Sequence, residues 1–130
     1  MKKMLMTLGL AGLLTACGGG GSSGNSSPSA SNSDVPAGCV NEASGPTFDL
    51  TTQNTAFHPK CLIVRSAQSI HVVNKDANLH NFSITGTSVS FDIQPNKTVN
   101  GQSAGVAPGT YQFFCKYHKA LGMVGTIVVR

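Results

Sequence analysis

The segment at residues 111–129, YQFFCKYHKALGMVGTIVV, constrains this chain more than any other. It sets Cys115, His118 and Met123 on one short connection between two runs of strand character. Tyr111, Phe113 and Cys115 occupy alternate positions, so a strand there points all three the same way and delivers the thiol to the apolar face at the sheet's end. Residues 116–122 have turn character, and from Met123 onward the apolar Val124, Ile127, Val128 and Val129 resume as a second strand. A connection this short can hold a thiolate, an imidazole and a thioether around a single ion.

The surrounding residues, about 38 to 130, make one domain rich in Thr, Val, Phe, Ile, Asn and Gly. Short alternating segments broken by turn residues predict an all-β fold. Strands are expected at 47–51, 61–65, 69–73, 80–85, 88–94, 98–104, 110–115 and 125–129. Gly86-Thr87, Pro95-Asn96 and Pro108-Gly109 supply turns between them. No internal repeat and no long amphipathic helix is evident.

The chain opens on Met1, Lys2 and Lys3, followed by about a dozen largely apolar residues and then Leu14-Thr15-Ala16-Cys17. A basic start with an apolar core too short to span a bilayer reads as a secretory signal over 1–16. Its end resembles a bacterial lipobox, which would leave Cys17 as a lipid-modified N-terminus; an ordinary cleaved signal would export the chain equally. Gly18 is not the aspartate that retains enteric lipoproteins at the inner membrane, so in such a source the outer membrane is expected. Residues 17–37 are then a Gly/Ser-rich tether with too little apolar content to pack. From Gly18 to about Val35 its reach is roughly 23 Å as a random coil.

Four cysteines allow two bridges if all of them pair. With Cys17 lipid-modified three remain, and Cys39 and Cys61, both near the start of the folded part, are the expected pair. Closing that loop of about 23 residues stabilises by roughly 3 kcal/mol on the chain-entropy account. Cys115 is then a solitary exported thiol, a liability unless a bound metal holds it as thiolate.

Soft sulfur donors favour copper, and a His2Cys plane with a long axial methionine marks a copper site built for electron transfer. Cys115, His118 and Met123 offer three of those four donors. His80 offers the second imidazole, where the polar run from Asn74 meets a strand marked by Phe82 and Ile84. With His80-Asn81 upstream and Cys115, His118 and Met123 on one downstream loop, the chain from about 47 to 130 resembles the cupredoxins, small blue copper proteins. The loop spacing is similar to that of the plastocyanin and pseudoazurin subgroup, whereas an early Cys39–Cys61 bridge resembles azurin.

The resemblance implies a Greek-key β-sandwich or barrel of about seven or eight strands holding one copper ion. It implies that His80 and His118 bind through ring nitrogens, Cys115 through a short covalent bond and Met123 as a weak axial ligand. Asn81 would tie its own loop to the Cys115 loop by hydrogen bonds and keep the ligands oriented. Tyr117 stands where proline often precedes the histidine, and Lys116 follows the cysteine; neither change alters the ligand count. His71 is expected on a solvated strand face and His58 in a turn, so no second metal site is expected.

Four protein ligands leave no open position for substrate, and nothing near Cys115 and His118 resembles an oxyanion or orienting motif. The expected function is therefore not catalysis but one-electron transfer between redox partner proteins. Copper capture or trafficking at the cell envelope is the alternative that uses the same ligands. By resemblance, the edge of His118 would be exposed through a docking patch of Ala120, Leu121 and Gly122 with Lys116 and Lys119 at its rim. The chain carries a formal charge of +4, which falls to +2 once Lys2 and Lys3 are removed. That excess gives no case for nucleic acid and predicts an acidic face on a redox partner. An extracytoplasmic monomer, attached to a membrane through its N-terminal lipid, is expected.

Overall fold

Alternation of apolar and polar residues is carried faithfully into strands. The computed structural model describes residues 36–102 and 105–130, and among them the chain forms ten strands. These are β1 (Val40–Asn41), β2 (Thr47–Gln53), β3 (Ala56–His58), β4 (Cys61–Val64), β5 (Ser69–Asn74), β6 (His80–Ile84), β7 (Ser90–Ile93), β8 (Thr98–Gln102), β9 (Gly109–Phe114) and β10 (Val124–Val129). Eight correspond to the expected strands with ends shifted by a few residues. The signal segment 1–16, Cys17, residues 17–35 of the tether, and Ser103 and Ala104 lie outside the described residues. No helix among the described residues is long and apolar enough to cross a membrane.

The two additional strands explain why the expected count of seven or eight was short. β1 has two residues, too few to show any periodicity, and pairs in parallel with β4 through Val40 and Leu62. The Cys39–Cys61 disulfide fastens it there. β3 follows β2 after only Asn54 and Thr55, with Gln53 opposite Ala56. Both turn residues have positive φ, 54° and 57°. Two-residue hairpins usually advertise that geometry with glycine, and a β-branched threonine in the left-handed region is rare.

One sheet runs β1-β4-β10-β9-β6-β7 and the other β3-β2-β5-β8. β4 lies parallel to both β1 and β10, and the remaining pairs of the first sheet are antiparallel. In the second sheet β2 runs parallel to β5, flanked by antiparallel β3 and β8.

Burial alternates along β2, where Phe48, Leu50 and Thr52 are inside, and along β5, where Ile70, Val72 and Asn74 are inside. They share the core with Leu62, Val64, Phe82, Ile84, Phe113, Ile127 and Val129 of the first sheet. Phe57, Phe82 and Phe113 form an aromatic junction with ring centroids 5.0–6.2 Å apart. Burying each such ring stabilises by about 1.5–3 kcal/mol. Gly125 faces Phe113 across the β9–β10 ladder, and a side chain there would collide with that ring and lie 2.7 Å from the Lys60 carbonyl oxygen.

Candidate metal centre

Four connections are tied together by hydrogen bonds at one end of the sheets: 53–56, 74–80, 94–97 and 115–123. Two of them carry the candidate donors. Asn74, at the inward-facing end of β5, organises the first. Its buried side-chain amide donates to the carbonyls of Asn78, Ile93 and Gln94, while its Oδ1 accepts from Thr52 Oγ1 and from the Asp76 N–H. The 74–80 connection is therefore pinned from within and delivers His80, fully buried, as the first residue of β6.

The second donor loop closes on its own backbone. Cys115 N–H donates to Met123 O at 3.1 Å, and Met123 N–H donates to His118 O at 3.2 Å. His118 N–H in turn bonds to Cys115 O at 3.2 Å. A 3-10 turn at Lys119–Leu121 follows, ended by Gly122 at φ 83°. Only glycine takes that left-handed position without penalty, and from it the chain re-enters β10.

These two connections bring His80 Nδ1, His118 Nδ1 and Cys115 Sγ together. The nitrogens are 3.1 Å apart, and the sulfur lies 3.4 Å from His118 Nδ1 and 3.9 Å from His80 Nδ1. A triangle with those edges has its centre about 2.0 Å from each corner, the length of a metal–imidazole bond and a little short of a metal–thiolate bond. Met123 is fully buried in the same core group as Cys115 and hydrogen-bonded through its backbone to both Cys115 and His118. Two imidazoles, a thiolate and a thioether are a donor set that suits copper. Among the described residues Cys39 and Cys61 are bridged to each other and Cys115 is unbridged.

Asn81 spans the two donor segments. Its backbone N–H points to Cys115 Sγ at 3.3 Å, and its Oδ1 accepts from Lys116 N–H at 3.4 Å and Ser83 Oγ at 2.6 Å. Its amide donates to Phe91 O and Asp92 Oδ1, each at 3.0 Å. These bonds satisfy Asn81 and Ser83, polar residues that lie buried in β6 beside Phe82 and Ile84.

Two acidic residues that the sequence reading did not single out complete the surroundings. Asp76 Oδ2 lies 2.8 Å from His80 Nε2. Burial pushes the Asp76 carboxyl up, but the Thr55 N–H, the His80 ring and the Asn54 N–H outweigh it and hold the group below the usual carboxylate range. Asp92 pairs with Lys116 Nζ at 2.8 Å and accepts from Tyr117 Oη at 2.9 Å. Those two bonds and the Asn81 amide hold its carboxyl low, and the Lys116 ammonium is raised in return. No residue-type motif marks either aspartate; Asp76 stands four residues before His80, a spacing that carries no meaning in a loop.

At the surface, Leu121 is 73% exposed and Tyr117 46%. Lys116, Lys119, Ala120 and Gly122 are exposed too, while His118 is half-buried. Lys119 Nζ sits 4.4 Å from the centre of the Phe114 ring. The other histidines stand apart: His71 Nδ1 pairs with Asp49 Oδ1 at 2.7 Å, and exposed His58 ends β3. Among the described residues, His80, Cys115 and His118 bring their ligand atoms within 4.8 Å of one another and could hold an ion.

Residues 26–129 match the cupredoxin-like domain family. The chloroplastic plastocyanin of Physcomitrium patens is 30% identical over 83 residues, covering 56% of this chain and 49% of that protein. The chain thus spans about half the length of that relative. Among solved structures, a variant fern plastocyanin overlays with a TM-score of 0.55 at 18% identity, covering 64% of this chain and 100% of its own. The reduced auracyanin of the photosynthetic bacterium Roseiflexus castenholzii gives 0.54 at 22% identity, covering 66% and 98%. A Cu(I) form of an amicyanin variant gives 0.53 at 16% identity, covering 65% and 83%. The solved structures share the fold, and the family match spans most of the sequence: the chain belongs to the cupredoxin-like domain family.

Proposed function

We propose that this protein holds one copper ion between His80, Cys115, His118 and Met123 and passes single electrons between partner proteins outside the cytoplasm. The observation that carries the reading is the triangle of two Nδ1 atoms and one unbridged Sγ, 3.1, 3.4 and 3.9 Å on its edges. Copper in such a set supplies a one-electron couple between Cu(I) and Cu(II).

The chain's own groups do the rest. The Asn81 N–H and the closed loop from Cys115 to Met123 keep the sulfur in place without relying on the ion. Burial of His80 and Cys115 keeps water from those donors, while half-buried His118 reaches towards solvent and offers the path in and out. Around it Ala120, Leu121 and Gly122 form the docking surface, with Lys116 and Lys119 at the rim; Lys116 is neutralised by Asp92, so Lys119 is the rim charge that favours an acidic partner face. Asp76 holds the His80 ring and the Asn81 N–H holds the Cys115 sulfur, which favours an electron carrier over copper capture and release, and four protein donors leave no position for an enzyme's substrate. The protein works as a monomer, tethered through lipid on Cys17 and the 17–37 linker on the outer side of a membrane.

Adding Cu(II) to the metal-free protein should give an intense blue band and a type 1 paramagnetic spectrum. Cys115→Ser should abolish the band. A colourless Cu(II) complex of the unmutated protein would overturn the reading.

A further inference from the structure

The hydrogen bonds that secure His80 converge on Asp76. Its side chain is 14% exposed and that of His80 is wholly buried, and their 2.8 Å contact joins Oδ2 to Nε2. A carboxylate offers lone pairs only, so the shared proton belongs to Nε2 and the Nδ1 lone pair is left facing His118 and Cys115. Asp76 is itself held on every side. Asn54 N–H donates to Oδ1 at 2.7 Å and Thr55 N–H to Oδ2 at 3.0 Å. Its backbone N–H bonds to Asn74 Oδ1 at 2.9 Å and its carbonyl accepts from Asn96 N–H at 3.1 Å.

The β2–β3 turn thereby gains a reason for its unusual backbone. With both Asn54 and Thr55 at positive φ, their two N–H groups point together at one carboxylate. Such paired donors make an anion-holding concavity, here occupied by a side chain of the same molecule.

We infer that Asp76 is a positioning and charge-balancing residue for the metal centre. It fixes the His80 tautomer, and its negative charge, placed behind a fully buried ring, favours a divalent over a monovalent ion beside the Cys115 thiolate. This rests on the copper reading above. A carboxylate behind a ligating imidazole raises the basicity of that ligand, and loss of such a partner typically changes metal affinity 10- to 100-fold.

The test is Asp76→Asn in the full chain, comparing Cu(II) and Cu(I) affinities by competition and the potential by titration. The expected result is a fall of about tenfold in the Cu(II)-to-Cu(I) affinity ratio, equivalent to a rise of about 59 mV in potential. An unchanged ratio overturns the inference. Asp49→Asn removes an equal charge from the exposed pair with His71 and should leave the ratio as it was; an equal fall there would assign the effect to net charge and also overturn it. Should Asp76→Asn not fold, nitrogen NMR of the unmutated metal-free chain decides. A proton is expected on His80 Nε2, and an unprotonated Nε2 overturns the assignment. Absence of a blue band in the unmutated protein would defeat the copper reading alone, because the tautomer is read without metal.

Discussion

The two segments that deliver the donors are held by different means. The 74–80 connection has its shape imposed by side chains, with Asn74 and Asp76 together reaching strands β2 and β7 and the turns at 53–56 and 94–97. The 115–123 connection is held by its own backbone, closed between Cys115 and Met123 and turned by Gly122. The first arm therefore depends on residues scattered along the chain, whereas the second depends mainly on local conformation. Damage to the first should spread and damage to the second should stay confined.

The largest effect is expected at Asn74. Asn74→Ala removes a fully buried amide and leaves three carbonyls, the Thr52 hydroxyl and the Asp76 N–H to find new partners. A loss of about 3 kcal/mol or more is expected in urea unfolding of the metal-free protein. A smaller effect is expected from Gly122→Ala, about 1–2 kcal/mol, the ordinary strain of an L-residue at a left-handed position. Nothing lies near enough to obstruct the new methyl group, so strain is the whole effect. Equal losses from the two variants would break the distinction between the arms.

The smallest effect sharpens the comparison at the point where the arms meet. Asp92 links Asn81 of β6 to Lys116 and Tyr117 of the second arm. Its carboxyl is depressed by those bonds, so its contribution is present above the ordinary carboxylate value, about 3.9, and is lost as pH falls through the lower folded value. Thermal melts below about pH 4 should fall less steeply for Asp92→Asn than for the unmutated protein. Identical acid profiles would show that Asp92 does not couple the arms. The Lys116–Asp92 pair is solvent-exposed, so little change is expected at neutral pH.

How much of this was legible beforehand follows the same division. Eight strands could be read because alternation in segments such as Phe48-Asp49-Leu50 and Ile70-His71-Val72 survives directly as inside and outside. The grouping of Cys115 and His118 was legible because three residues of chain leave little room to separate them. The approach of His80 needed the family resemblance, since it stands 35 positions before Cys115 in the sequence. The Asn54-Thr55 hairpin was not legible, because its backbone is stabilised by a carboxylate from another connection and not by a glycine of its own. Asp76 and Asp92 were missed for the same reason: their roles arise from what folding brings beside them. Lys116 was expected simply at a docking rim, yet its ammonium is already engaged by Asp92 and rests 4.8 Å from the centre of the Tyr117 ring.

The bond from Cys115 N–H to Met123 O has an evolutionary corollary. Because main-chain atoms join the ends of that segment, the outward side chains between them are free to drift. A lineage could exchange Ala120 or Leu121 for other residues, and so change the outer surface, while the sulfur at its base stays where it was. The outer surface of the segment and the position of its sulfur are thereby inherited separately along one short piece of polypeptide.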